Sequence, residues 1–152
     1  MSIRFRLLNL EPNDFSASAR AKLEGYCDYA EMSDVCPDRL SEEIREFDGI
    51  IVRLGYNLNR SVFRNAPNLK LIACATTGLT HIDLEAASAF VVKVISLRGA
   101  DNFLRTITPT AELTIAFILM LARNLKGAIR CVEAFRWDRS LYFGRELNSL
   151  TL

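Results

Sequence analysis

Short apolar runs separated by polar, helix-patterned stretches recur along the chain. Apolar runs at 3–10, 27–32, 49–54, 69–75 and 91–97 alternate with helical spacing at 15–26, 37–47, 58–65 and 82–89, and a long helix follows over about 109–125. Five strands alternating with helices imply a mostly parallel sheet with helices on both faces, so the expected class is α/β. The boundaries agree. Asp38 to Glu43 is a polar helix start after Pro37, and Thr108 offers a capping hydroxyl before Pro109 at the first helical position, with Glu112 in the first turn where the dipole favours an anion.

The long helix is apolar on nearly every face between Leu113 and Leu121, unlike a surface helix with one buried stripe. It therefore needs two partners: the sheet of its own domain, and a second domain or a second copy of the chain. Its apolar run, Ile115 to Ala122, is too short to span a bilayer and is flanked by Glu112 and Arg123. After Gly127 the pattern weakens over 128–135, and Arg136-Trp137-Asp138-Arg139 reads as a helix end and an ordered connection. Residues 146–152 read as the opening of another strand.

With 152 residues, half of them apolar, the chain can bury a core without disulfides or metals. Nineteen basic and eighteen acidic residues, with no long block of one sign, argue against a nucleic-acid or acidic-membrane surface. Cys27, Cys36, Cys74 and Cys131 form no C-x-x-C pair and His81 is the single histidine, so no metal site is expected. The first ten residues alternate charged and apolar positions and lack the apolar core of a secretory signal. Reduced thiols and a cytoplasmic location are expected.

In an open parallel sheet, ligands gather at the carboxyl ends of the strands. The loops there hold Glu11 to Asp14, Arg53-Leu54-Gly55-Tyr56-Asn57, Thr76-Thr77-Gly78-Leu79 and Arg98-Gly99-Ala100-Asp101-Asn102. Two of them set an arginine beside a glycine, and the Thr-Thr-Gly turn can point several N–H groups outward together, which suggests an anionic substrate. Plain readings stand beside these. Arg53 can snorkel or pair with a carboxylate, Thr77-Gly78 can be only a tight strand-to-helix turn, His81 can be a cap or a satisfied structural residue, Cys74 a small core residue, and Glu11 and Asp14 turn and cap residues. A phosphoacceptor domain would need acidic residues where strand three ends in Arg53-Leu54-Gly55. A flavodoxin would need a hydroxyl-rich loop where Asn9-Leu10-Glu11-Pro12 stands.

Five pieces in order resemble the N-terminal portion of the D-isomer-specific 2-hydroxyacid dehydrogenase family, which includes phosphoglycerate dehydrogenase. They are Gly49-Ile50-Ile51-Val52-Arg53; Asn68-Leu69-Lys70-Leu71-Ile72; the stretch from Thr76-Thr77-Gly78-Leu79 through Ile82-Asp83-Leu84-Glu85-Ala86-Ala87; Ala111-Glu112-Leu113-Thr114 with Leu121-Ala122-Arg123; and Glu146-Leu147 with Leu150-Thr151-Leu152. The resemblance implies a flavodoxin-like sheet of order 2-1-3-4-5 over residues 1–107. Residues 108–152 would then be a crossover and dimerisation helix leading into a Rossmann domain for NAD that lies beyond the chain. It also implies that Thr76, Thr77, Gly78 and Leu79 hold the carboxylate of a small 2-hydroxy or 2-oxo acid through backbone N–H groups, that Thr77 lies near the nicotinamide, and that Arg53 faces the same cleft.

In such enzymes the G-x-G-x-x-G fingerprint and the catalytic arginine, glutamate and histidine follow the Glu-Leu-x-x-x-Thr-Leu segment. The chain alone is therefore expected to lack hydride transfer and catalytic residues, and to pair as a homodimer near Phe117 and Met120. Where many relatives have Gly-Arg before the turn, this chain has Ala73-Cys74-Ala75-Thr76, and its connection from Ser96 to Thr110 is longer than usual. The alternative function is a stand-alone small-acid-binding or regulatory module.

Overall fold

The computed structural model describes residues 4–149. The chain divides into two compact units, Met1–Ala100 and Asp101–Leu152. In the first, strands β1 (Arg6–Asn9), β2 (Asp28–Glu31), β3 (Gly49–Val52), β4 (Leu71–Cys74) and β5 (Lys93–Ser96) form one parallel sheet of order β2-β1-β3-β4-β5. The expected α/β class, strand order and parallel pairing are all observed. Helices α1 (Ala17–Tyr26), α2 (Leu40–Glu43), α3 (Arg60–Asn65) and α4 (Leu84–Ala89) make the crossovers.

The period of two along each strand sorts the apolar side chains between the faces. Leu8, Ile50, Val52, Ile72 and Cys74 enter the larger core with Leu40 and Ile44, Val62 and Phe63, and Ala86 and Ala87. The intervening Leu7, Ile51 and Ala73 turn the other way, against Phe5, Phe15 and Leu23. Each fully buried leucine, isoleucine or phenylalanine contributes about 1.5–3 kcal/mol, and this two-sided burial is why the central strands β3 and β4 read as continuous apolar runs.

Local chemistry sets the ends of the elements. Ser16 caps α1, Asn59 caps α3 and Asp83 caps α4, each side chain accepting from an N–H of the first turn. At the amino edge of the sheet, Asp48 accepts from the Arg6 N–H at 2.9 Å and the Lys70 ammonium at 2.7 Å. These donors, the Arg6 N–H foremost, hold its carboxyl below the usual carboxylate range. Helix α4 ends in a Schellman motif, with Val91 N–H bonding Ser88 O and Val92 N–H bonding Ala87 O. The left-handed position usually given to glycine is held by Val91, at φ 59°.

The second unit contains α5 (Asp101–Leu104), α6 (Pro109–Ala122) and α7 (Leu125–Glu133). The helix expected over about 109–125 stops at Ala122 because Asn124 takes a left-handed conformation, and the weak pattern after it proves to be helical. Asparagine is among the few residues that tolerate this region. Thr108 precedes α6 as expected, but its hydroxyl donates to the Glu112 carboxylate at 2.5 Å and caps no backbone N–H. None of the side chains of α6 is fully buried, and Leu113, Ile115, Phe117 and Leu121 are all more than half exposed. Leu147–Ser149 is a 3-10 turn, not the extended start of a strand, and residues 150–152 lie outside the described residues. Among the described residues no helix is long and apolar enough to cross a membrane.

Candidate functional site

The order β2-β1-β3-β4-β5 reverses direction between β1 and β3, and a crevice opens at the carboxyl ends of strands beside such a switch point. A cavity of about 530 Å³ lies there, walled by Leu10 and Glu11 after β1, Asp34 and Cys36 after β2, and Arg53 and Tyr56 after β3. The Glu11 carboxylate bonds the N–H groups of Arg53 and Gly55 and so fixes the loop after β3. Its own approach is set by Asn9, a fully buried polar residue whose Oδ1 accepts the Glu11 N–H at 3.1 Å and whose Nδ2 donates to Tyr29 at 2.9 Å. Arg53 is exposed, and the carboxylate beside it is bound by its backbone, not by its guanidinium. That guanidinium forms no ion pair among the described residues.

The turn 75–81 follows β4 on the same edge. It is anchored at its entrance by Ala75 N–H to Val52 O at 3.0 Å, and at its exit by Leu58 N–H to His81 O at 2.8 Å. Inside the turn every carbonyl that is bonded is bonded inward: Thr76 O accepts from Leu97 N–H, Leu79 O from Ile82 N–H, and Gly78 O from the Thr76 hydroxyl at 2.8 Å. The N–H groups of Thr77, Gly78 and Leu79 bond nothing among the described residues. Unbonded N–H groups on an exposed turn are the donors a carboxylate needs. A Cβ at Gly78 would meet nothing within 4 Å, and its φ lies outside the left-handed region. Neither its neighbours nor its backbone demand glycine, yet the missing side chain leaves the approach to the amides open.

Beneath the turn, the buried Cys74 Sγ lies 3.0 Å from Thr76 Oγ1, 3.6 Å from His81 Nε2 and 3.7 Å from Arg53 O. Cys74 is a core residue as expected, with polar partners besides. His81 is neither the cap of α4, which is Asp83, nor satisfied: its Nδ1 is buried without a partner. The structure thus joins the ends of β3 and β4 through Cys74. Sequence reasoning missed Asn9 and the Glu11 clamp, whose partners stand 42 and 44 positions away. Among the described residues no group of three or more histidine, cysteine or acidic side chains is placed to hold a metal ion.

A doubly wound parallel sheet, with a switch-point cavity and a turn of unbonded amides at the same edge, defines an α/β domain whose strand ends are where ligands bind in this topology. Residues 12–114 match the D-isomer specific 2-hydroxyacid dehydrogenase catalytic domain, and the chain belongs to this family. It is 34% identical over 115 residues to D-3-phosphoglycerate dehydrogenase of Methanocaldococcus jannaschii, covering 76% of this chain and 21% of that protein. Its fold is similar to a solved Thermus thermophilus protein at TM-score 0.78 and 25% identity, covering 94% of this chain and 46% of that one. It is also similar to D-lactate dehydrogenase from Aquifex aeolicus, solved with NAD and lactic acid, at TM-score 0.74 and 24% identity over 95% of this chain and 42% of that one. The chain spans about a fifth of the length of the curated relatives it matches.

Proposed function

We propose that the chain supplies the acid-holding part of an NAD-dependent oxidoreductase that interconverts a D-2-hydroxy acid and its 2-oxo acid. The observation that carries this reading is the turn 76–79, where the carbonyls of Thr76, Gly78 and Leu79 are bonded within the protein while the amides of Thr77, Gly78 and Leu79 bond nothing among the described residues. Two or three preoriented N–H donors fix a carboxylate, and with it the adjoining α-carbon, in one orientation. Arg53, exposed at the end of the adjacent strand with its guanidinium free of ion pairs, adds the positive charge. The acid-binding domain is assigned to residues 1–107, and residues 108–152 to the helical connection.

Nucleotide binding is a different matter. No G-x-G-x-x-G occurs in the 152 residues, and the loops at the carboxyl ends of the strands hold no glycine-rich phosphate cradle. NAD is therefore assigned to the larger enzyme, with Thr77 as this chain's contribution beside the nicotinamide, and no hydride step is derived from these residues. The more-than-half-exposed Phe117, with its apolar neighbours on α6, supports a homodimer through that helix. Four free thiols support a reducing, cytoplasmic setting.

Calorimetric titration with oxalate, pyruvate and D-lactate, together with amide NMR, tests the assignment. Saturable binding with the largest shifts at Thr77, Gly78 and Leu79 is expected. Acid binding that leaves those three amides unmoved refutes it. NADH should show no specific binding to the 152 residues, and micromolar affinity would contradict the division of labour. A polypeptide continuing past Leu152 into a nucleotide-binding domain should gain both NADH binding and 2-oxo acid reduction. A clean monomer in sedimentation at tens of micromolar, a range in which mass action holds an ordinary dimer together, would count against the dimer.

A further inference from the structure

We propose that His81, Cys74 and Thr76 are positioning residues that form a one-way hydrogen-bond relay setting the direction of the acid-binding amides, an inference that rests on the function proposed above. The relay runs from His81 Nε2 to Cys74 Sγ at 3.6 Å, from Cys74 Sγ to Thr76 Oγ1 at 3.0 Å, and from Thr76 Oγ1 to Gly78 O at 2.8 Å.

Counting protons fixes its direction. A carbonyl oxygen only accepts, so the single hydroxyl proton of Thr76 goes to Gly78 O. Thr76 Oγ1 is then the acceptor in its contact with Cys74, and the thiol donates its one proton there. Arg53 O, the competing acceptor, is farther away at 3.7 Å. Having given its proton to Thr76, Cys74 Sγ is the acceptor for His81, which donates from Nε2. Nδ1, the other ring nitrogen, is the atom found buried without a partner. A ring kept here for packing alone would be better as a hydrocarbon, because an unpaired buried nitrogen costs desolvation. The Nε2 bond to Cys74 is what the imidazole supplies.

The consequence falls on the next peptide. No cis peptide occurs among the described residues, so Gly78 C=O and Leu79 N–H lie in one plane and point in opposite directions. Holding Gly78 O toward Thr76 therefore turns the Leu79 N–H away from Thr76, and that N–H bonds nothing among the described residues. Three bonds in series also polarise one another, which stiffens the turn before any acid arrives.

The test uses the whole chain, oxalate as the probe, and the carbonyl ¹³C shift of Gly78 as a readout that packing alone does not move. In Thr76→Val and Cys74→Ala the Gly78 carbonyl shift should move upfield and oxalate affinity should fall about fivefold or more, the loss expected for one neutral hydrogen bond. Cys74→Ser, whose hydroxyl donates and accepts as the thiol does, should restore both. An unmoved carbonyl shift in Thr76→Val overturns the relay, whether or not Cys74→Ala folds. So does a Cys74→Ser protein that folds and behaves like Cys74→Ala. If the unsubstituted chain binds no small acid while the carbonyl shift still responds, the proposed function fails and the relay stands. If acid binds normally and the shift does not respond, the relay alone fails.

Discussion

Replacing Gly78 separates the folding of this domain from its acid binding. An added Cβ would meet nothing within 4 Å, and no left-handed φ is required, so Gly78→Ala should leave thermal stability within about 0.5 kcal/mol of the unsubstituted chain. Alanine narrows the unfolded ensemble, which acts toward a slight gain. Binding should respond very differently. The new methyl sits on the Cα between the Gly78 and Leu79 amides, on the side where no protein atom stands. Displacing a carboxylate from one of these charge-assisted bonds costs about 1.5–3 kcal/mol, roughly a ten- to hundredfold loss in affinity.

Scanning calorimetry and oxalate titration on the same sample read both effects. Gly144→Ala is the contrasting control, because a Cβ there would lie 2.6 Å from Arg123 Cα and 2.7 Å from Ala122 O, so a lowered melting temperature is expected. Wild-type affinity in Gly78→Ala would refute the cradle. A drop of several degrees in its melting temperature would show that the glycine serves the fold and not the ligand.

Three further outcomes are expected. Val91→Gly should raise stability by about 1 kcal/mol, seen as a higher melting midpoint, because Val91 is 86% exposed and holds a left-handed position that costs an L-residue about 1–2 kcal/mol; an unchanged midpoint would refute the strain argument. Asp48→Asn should cost about 1–3 kcal/mol at neutral pH. The folded-state value of Asp48 is depressed, so its contribution is fully present above the unfolded value of about 3.9 and is lost as pH falls through the folded one. The gap between the two melting curves should therefore close below pH 4, and a gap independent of pH would count against the ion-bonded clamp. Arg53→Gln should leave the melting temperature unchanged and weaken oxalate roughly tenfold, as expected for losing a charged donor, with the loss shrinking as salt is added; equal affinity at low salt would remove Arg53 from the site.

Hydrophobic patterning was enough to set the layers. Apolar runs alternating with helical spacing required a parallel sheet buried on both sides, and the alternation of Leu7 with Leu8, or Ile51 with Ile50 and Val52, follows from the strand period alone. Thr77-Gly78-Leu79 was legible as a candidate anion turn because strand, glycine and helix start are neighbours in the chain. The break at Asn124 was not, since asparagine tolerates a left-handed backbone without requiring one. Only tertiary structure brought Glu11 to the amides of Arg53 and Gly55, or set Cys74 against the Arg53 carbonyl. Those contacts join residues 21 to 44 positions apart, and they exist because parallel pairing brings the carboxyl ends of β1, β3 and β4 to one edge. Periodicity reports which way a side chain faces; which distant group it meets is decided by strand order and register.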